Sequence, residues 1–141
     1  MKVTKNFYLH ELVDKTTYER FGDFSQRFLD KDTVNVLQFF RDRYGSTTVN
    51  NWRQGGNFQY RGFRPPNCTI GGMFSQHKYG RAFDINCKNA TPDEIREDIL
   101  KNEYDFILQG LTRIEDGEFA PTWMHFDCAW TGDNKIHIVK P

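Results

Sequence analysis

The segment Ala82-Phe83-Asp84-Ile85-Asn86-Cys87 sets a carboxylate in the middle of an apolar, β-prone run. No other feature constrains the fold as tightly. The run reads as a strand, and an unpaired carboxylate buried in a strand is costly. Asp84 must therefore face a metal, a cation or the surface. The segment Trp123-Met124-His125-Phe126-Asp127 has the same character. Strand alternation turns Trp123, His125 and Asp127 to one face, and Met124 and Phe126 to the other. The first face is polar and functional; the second is core.

His77 precedes Asp84 by seven residues, across Gly80, which permits a sharp turn. A loop ligand and a strand ligand can converge that way. A zinc site needs three or four N, O or S donors at about 2.0–2.3 Å, and a catalytic one leaves a position for water. Taken singly, each residue also has an ordinary reading. A histidine in a strand can be a satisfied core or surface residue. Asp84 can be an edge carboxylate, and Asp127 a solvated one. His10 and His137 have no partner at metal spacing and read as surface residues. Cys87 and Cys128 alternate away from the polar face and read as core thiols.

The rest of the chain narrows the class. Its 141 residues suit one domain, residues 1–141, with no repeat or long linker. A domain of that size buries about two-thirds of its unfolded surface without disulfides. Thirteen Phe argue for a real core rather than disorder. Nineteen basic residues balance nineteen acidic ones, which disfavours a nucleic-acid partner. No apolar run approaches the roughly 20 residues that cross a bilayer, so no membrane insertion is expected. Three cysteines without a CxxC pair suggest reduced thiols. The first residues lack the apolar stretch of a signal peptide, which fits synthesis in a cytoplasm.

Local signals predict an α+β chain. Phe7, Leu9, Leu12 and Val13 suit a short helix or an N-terminal strap. Val36, Leu37, Phe40 and Tyr44 recur at helical spacing, with Asp32 as cap and Gly45 as stop. Thr47–Trp52 is short and β-prone. Residues 53–72 hold five Gly and two Pro and read as a loop, with an extended piece at 58–63. Thr91-Pro92-Asp93-Glu94 starts a helix through a capping box, running to about Asn102 and burying Ile95, Ile99 and Leu100. Strands are expected near 110–115, 122–130 and 136–139. The expected architecture is an antiparallel sheet with helices packed on one side.

The two chemical segments also carry a resemblance. Ser75-x-His77-x-x-Gly80-x-Ala82-x-Asp84, followed about 40 residues later by Trp123-x-His125-x-Asp127, resembles the zinc D-Ala-D-Ala carboxypeptidase family. That family includes phage L-alanyl-D-glutamate endopeptidases and shares the hedgehog/DD-peptidase fold. Tyr60-Arg61-Gly62-Phe63-Arg64-Pro65-Pro66, then Gly71-Gly72, is similar to its Ser-Gly-Tyr-Arg segment. Asn6-Phe7-Tyr8-Leu9-His10-Glu11-Leu12 resembles the N-terminal segment of phage members.

The resemblance implies that His77, Asp84 and His125 bind Zn2+. It implies that Arg64 holds the scissile carbonyl oxygen or a substrate carboxylate, and that Ser75 bonds substrate. A loop-capping role for Ser75 stays open, as does a surface role for Arg64. Trp123 reads as a cleft wall or a core residue. The implied substrate is the peptide of bacterial peptidoglycan, cut beside a D-amino acid by a small monomeric enzyme. Such an enzyme would be made in a host cytoplasm and reach the wall through a holin or in a virion.

One departure matters. The well-studied carboxypeptidases place a general-base Glu three residues before the last His, where this chain has Thr122; some branches of the family instead carry an Asp two residues after that His, as Asp127 is here. A threonine hydroxyl cannot take the proton of an activated water at neutral pH. Asp127 and Glu118 rank equally as replacements, with Glu115 behind them. Asp127 also suits orienting the ligand histidine. A non-catalytic zinc-binding structural or virion component is the competing expectation.

Overall fold

A computed structural model describes residues 1–141. The helices are α1 (Lys15–Phe21), α2 (Lys31–Tyr44), α3 (Pro92–Lys101) and α4 (Glu103–Ile107). The strands are β1 (Thr47–Thr48), β2 (Ala82–Cys87), β3 (Arg113–Glu115), β4 (Met124–Asp127) and β5 (His137–Val139). They form one sheet in the order β1-β2-β4-β3-β5. The fold is therefore α+β, as the alternating patterns imply.

The sheet is mixed rather than antiparallel. β2 pairs antiparallel with β1 and β4, and β4 pairs antiparallel with β3, but β5 runs parallel to β3. After β4 the chain crosses the end of the sheet and adds β5 beyond β3 in the same direction. The side-chain period of a strand is two in either direction, so the pattern at 136–139 carries no orientation.

Alternation divides the central strands into two faces. Phe83, Ile85, Ile114, Met124 and Phe126 are buried in a cluster with Val36, Leu37 and Phe40 of α2 and Ile95 and Ile99 of α3. Phe126 lies 4.7 Å from Phe40 and 5.9 Å from Phe83 between ring centroids. Thus α2 and α3 cover one face, and the opposite face is left for the site.

The capping box at Thr91 and Glu94 forms as the sequence predicts. Two details of the helices differ. Asp30, not Asp32, caps α2, because its extended backbone lets a carboxylate oxygen accept from the Thr33 amide at 3.0 Å. Leu100 is 48% exposed rather than buried. Ile95 and Ile99 already fill the core-facing stripe, and Leu100 lies a further 100° or so around the helix.

The N-terminal residues form a strap over a second, smaller cluster of Leu9, Val13 and Phe63. Within it lies α1, capped by Asp14, which accepts from the Thr17 amide at 3.1 Å. No strand forms at 58–63, but that segment runs beside β2, and the Arg61 carbonyl accepts from the Asp84 amide at 2.7 Å. No helix is long and apolar enough to cross a membrane.

Candidate metal centre

His77 sits in a 3₁₀ turn, Gln76–Tyr79, that ends at Gly80. Gly80 has φ +68°, and a Cβ there would collide with the Phe28 carbonyl oxygen. Glycine therefore permits the tight reversal that carries the chain from His77 into β2. Register does the rest. Asp84 of β2 stands directly opposite His125 of β4.

The three side chains converge. His77 Nε2 lies 3.4 Å from Asp84 Oδ1, and His125 Nδ1 lies 2.9 Å from the same oxygen. One donor atom from each residue falls within 4.8 Å of the other two, so the cluster can hold a metal ion. The outer nitrogens support this fit. His77 Nδ1 donates to the Gly62 carbonyl at 2.8 Å, which leaves the Nε2 lone pair facing inward. Gly62 can lie this deep because it has no Cβ to strike the Leu12 carbonyl. His125 Nε2 donates to Asp127 Oδ2 at 3.1 Å, which leaves Nδ1 for a metal. Hydrogen bonds to the second nitrogen are what metal-ligating histidines usually carry.

Burial and charge bias the same groups. Burial pushes the His77 pKa down and keeps it neutral, the form that ligates. Burial alone would raise Asp84, but the imidazoles of His77 and His125 packed against it, the latter hydrogen-bonded at 2.9 Å, hold it well below the usual carboxylate range. Burial disfavours charge on His125, yet hydrogen bonds to Asp127 and Asp84 outweigh it and raise its pKa to about 9. With Nε2 directed at Asp127, a metal at Nδ1 would take the place of any proton shared with Asp84.

The cluster opens into a cleft of about 480 Å³. A larger hollow of about 740 Å³, between residues 3–4, 26–31 and α2, contains no His, Cys, Asp or Glu and so no comparable chemistry. Arg64, Ser75 and Trp123 all line the cleft. Arg64 is buried, with Nε on the Tyr60 carbonyl at 2.6 Å and Nη2 on Asp84 Oδ2 at 3.2 Å. The Ser75 hydroxyl makes no capping bond to the 3₁₀ turn. The capping alternative for Ser75 is therefore not seen.

The three carboxylates considered as proton acceptors stand in different places. Asp127 is fully buried, and both its oxygens are taken. Oδ1 accepts from Arg113 Nε at 2.7 Å and the Ala129 amide at 3.2 Å; Oδ2 accepts from Arg113 Nη2 at 3.0 Å and from His125. Glu118 is exposed in the turn after β3 and does not line the cleft. Glu115 does line it. Arg113 pairs with Asp127 and Ile114 with Phe126, and one further step along that register sets Glu115 beside His125. Glu115 Oε2 lies 3.8 Å from His125 Nδ1. Burial raises its pKa, partly offset by the charge of His125. Thr122 is exposed and outside the cleft.

Two arginines were not singled out from the sequence. Arg113 holds Asp127 in a two-pronged ion pair. Arg96 of α3 donates to the carbonyls of Glu115, Ala120 and Trp123, tying the loop between β3 and β4 to the helix. Both sit at positions where a solvated charge is the ordinary reading, and only cross-strand and helix–loop contacts distinguish them. Comparison with protein-family models, curated proteins and solved structures found no match.

Proposed function

We propose that the chain is a zinc-dependent peptidase of the hedgehog/DD-peptidase type, acting on the peptides of bacterial peptidoglycan. The observation that carries this reading is the convergence of His77, Asp84 and His125 at the base of an open cleft, each histidine braced through its second nitrogen. Two nitrogens and a carboxylate oxygen suit zinc with a position left for water or substrate. The motif resemblance supplies the substrate class. It also makes delivery by a holin or within a virion part of the proposal.

Zinc bound there would supply Lewis-acid chemistry, acidifying water and polarising a carbonyl oxygen. The chain's own residues divide the remaining work. Ser75 and Trp123 line the cleft where the peptide would lie. Arg64, a fixed charged fork beside Asp84 on the cleft wall, would face the oxygen on which charge develops. Glu115 takes the role that Thr122 cannot. Its carboxylate accepts one proton from the attacking water as the O–C bond forms. It returns that proton to the amine nitrogen as the C–N bond breaks, ending the cycle as it began. Asp127 is unsuited, because four donors already occupy its oxygens.

The test is mass spectrometry of purified peptidoglycan incubated with zinc-loaded protein, beside a chelated sample. Zinc-dependent muropeptide fragments are expected, and their masses name the bond. Glu115→Gln should lower turnover by about 10²–10⁴-fold with zinc content unchanged. If several wall chemotypes yield no fragments while zinc stays bound, the protein is a non-catalytic zinc-binding component, and Thr122 marks the lost base.

A further inference from the structure

We infer that Arg113 is a positioning residue for the metal centre, acting through Asp127 on His125. This rests on the metal-site part of the proposed function and not on peptidase activity.

The argument begins in the register. Arg113 of β3 stands opposite Asp127 of β4. Both residues lie on the cleft face, because Ile114 and Phe126 between them and their neighbours point into the core. The guanidinium meets the carboxylate with two parallel bonds, 2.7 and 3.0 Å long. A two-pronged pair of this kind fixes direction as well as charge. Asp127 has no exposed side-chain surface, so without Arg113 it would be a buried anion lacking its main partner.

Held this way, Asp127 can only accept. Its Oδ2 lies 3.1 Å from His125 Nε2 and fixes a proton on that nitrogen. The lone pair that ligates is then on Nδ1, the atom 2.9 Å from Asp84 Oδ1. Arg113 therefore decides, at one remove, which nitrogen of His125 meets the metal and how the ring is turned. Arg113 itself offers no donor atom to a cation. A lysine keeps the charge but cannot form the fork.

The Arg43–Asp98 pair provides an internal control. It has the same fork, with bonds of 2.7 and 3.0 Å, but joins α2 to α3 on the far side of the sheet. The experiment compares wild type, Arg113→Lys, Asp127→Asn and Arg43→Lys. It measures the zinc dissociation constant by chelator competition, the visible spectrum of the cobalt-substituted protein, and the thermal midpoint of the metal-free chain. Arg113→Lys and Asp127→Asn should bind zinc about 10–100-fold more weakly, with a changed cobalt spectrum. Arg43→Lys should leave both readouts unchanged.

If Arg113→Lys matches wild type in affinity and spectrum and loses only thermal midpoint, as Arg43→Lys does, Arg113 is structural and the inference fails. If wild type itself takes up no zinc, the metal-site reading fails first. Absence of wall fragments bears on the peptidase reading alone.

Discussion

The two faces of the β2–β4 ladder are made from alternate residues of the same strands, yet different forces hold them. On the core face Phe83, Ile85, Met124 and Phe126 are packed by area and shape, and no partner is unique. On the cleft face Asp84, His125 and Asp127 are held by specific partners: His77, Arg64 and Arg113. Packing answers an altered neighbour with partial relaxation, and the cost is graded by the volume lost. A buried charge has no such recourse, because a lost partner leaves the remaining group desolvated and unpaired. The core face should therefore set whether the chain folds, and the cleft face what it binds.

The largest expected effect tests that separation from the core side. Phe126 is fully buried between Phe40 and Phe83. Phe126→Ala should cost about 3–5 kcal/mol in denaturant unfolding, the sum of lost transfer and a residual cavity. The folded fraction should still bind zinc with near wild-type affinity. Loss of zinc binding by folded Phe126→Ala would show that the two faces are not independent.

The next effect tests it from the cleft side. Saturating zinc at 100 times its dissociation constant should stabilise wild type by about 2.7 kcal/mol. His77→Ala removes one of three donors and the brace on Gly62. It should abolish the zinc-induced rise in thermal midpoint while the far-ultraviolet circular dichroism stays as in wild type. A full zinc-induced rise in that variant would sink the ligand assignment.

The same contrast governs what could be read from the sequence. His77, Asp84 and His125 stood out as candidates, each within a short segment, but only the motif resemblance joined them into one ligand set. The capping box at Thr91 was legible by itself, since all its atoms lie within one turn. Arg113 gained meaning, and Glu115 its place ahead of Glu118, only from the β3–β4 register, which a sequence does not carry. Glu118 and Glu115 are three residues apart, and only their placement separates a cleft carboxylate from a solvated one. The parallel β5 was illegible because direction leaves no mark on periodicity. Helix α1 was missed because its Thr-Thr start is weakly helical and only Asp14 anchors it.

The smallest effect concerns the ionic cluster on the helical side, which is neither packed core nor candidate metal site. Asp98 accepts from Arg43 twice and also from the Tyr44 hydroxyl and the Asn102 amide. The hydrogen bond from Arg43 is the main cause that lowers its pKa to about 2, with burial opposing and Tyr44 and Asn102 assisting. A carboxyl depressed in the folded state stabilises fully above its unfolded pKa of about 3.9. That contribution is lost as pH falls from about 4 toward 2. Asp98→Asn should therefore lower stability at pH 7 and flatten its pH dependence between about 4 and 2, followed by urea unfolding. Zinc affinity at pH 7 should not move, because the cluster lies across the sheet from the cleft. An unchanged slope below pH 4 would mean that the cluster adds nothing to folding, and would leave the acid response of the protein to the carboxylates of the cleft face.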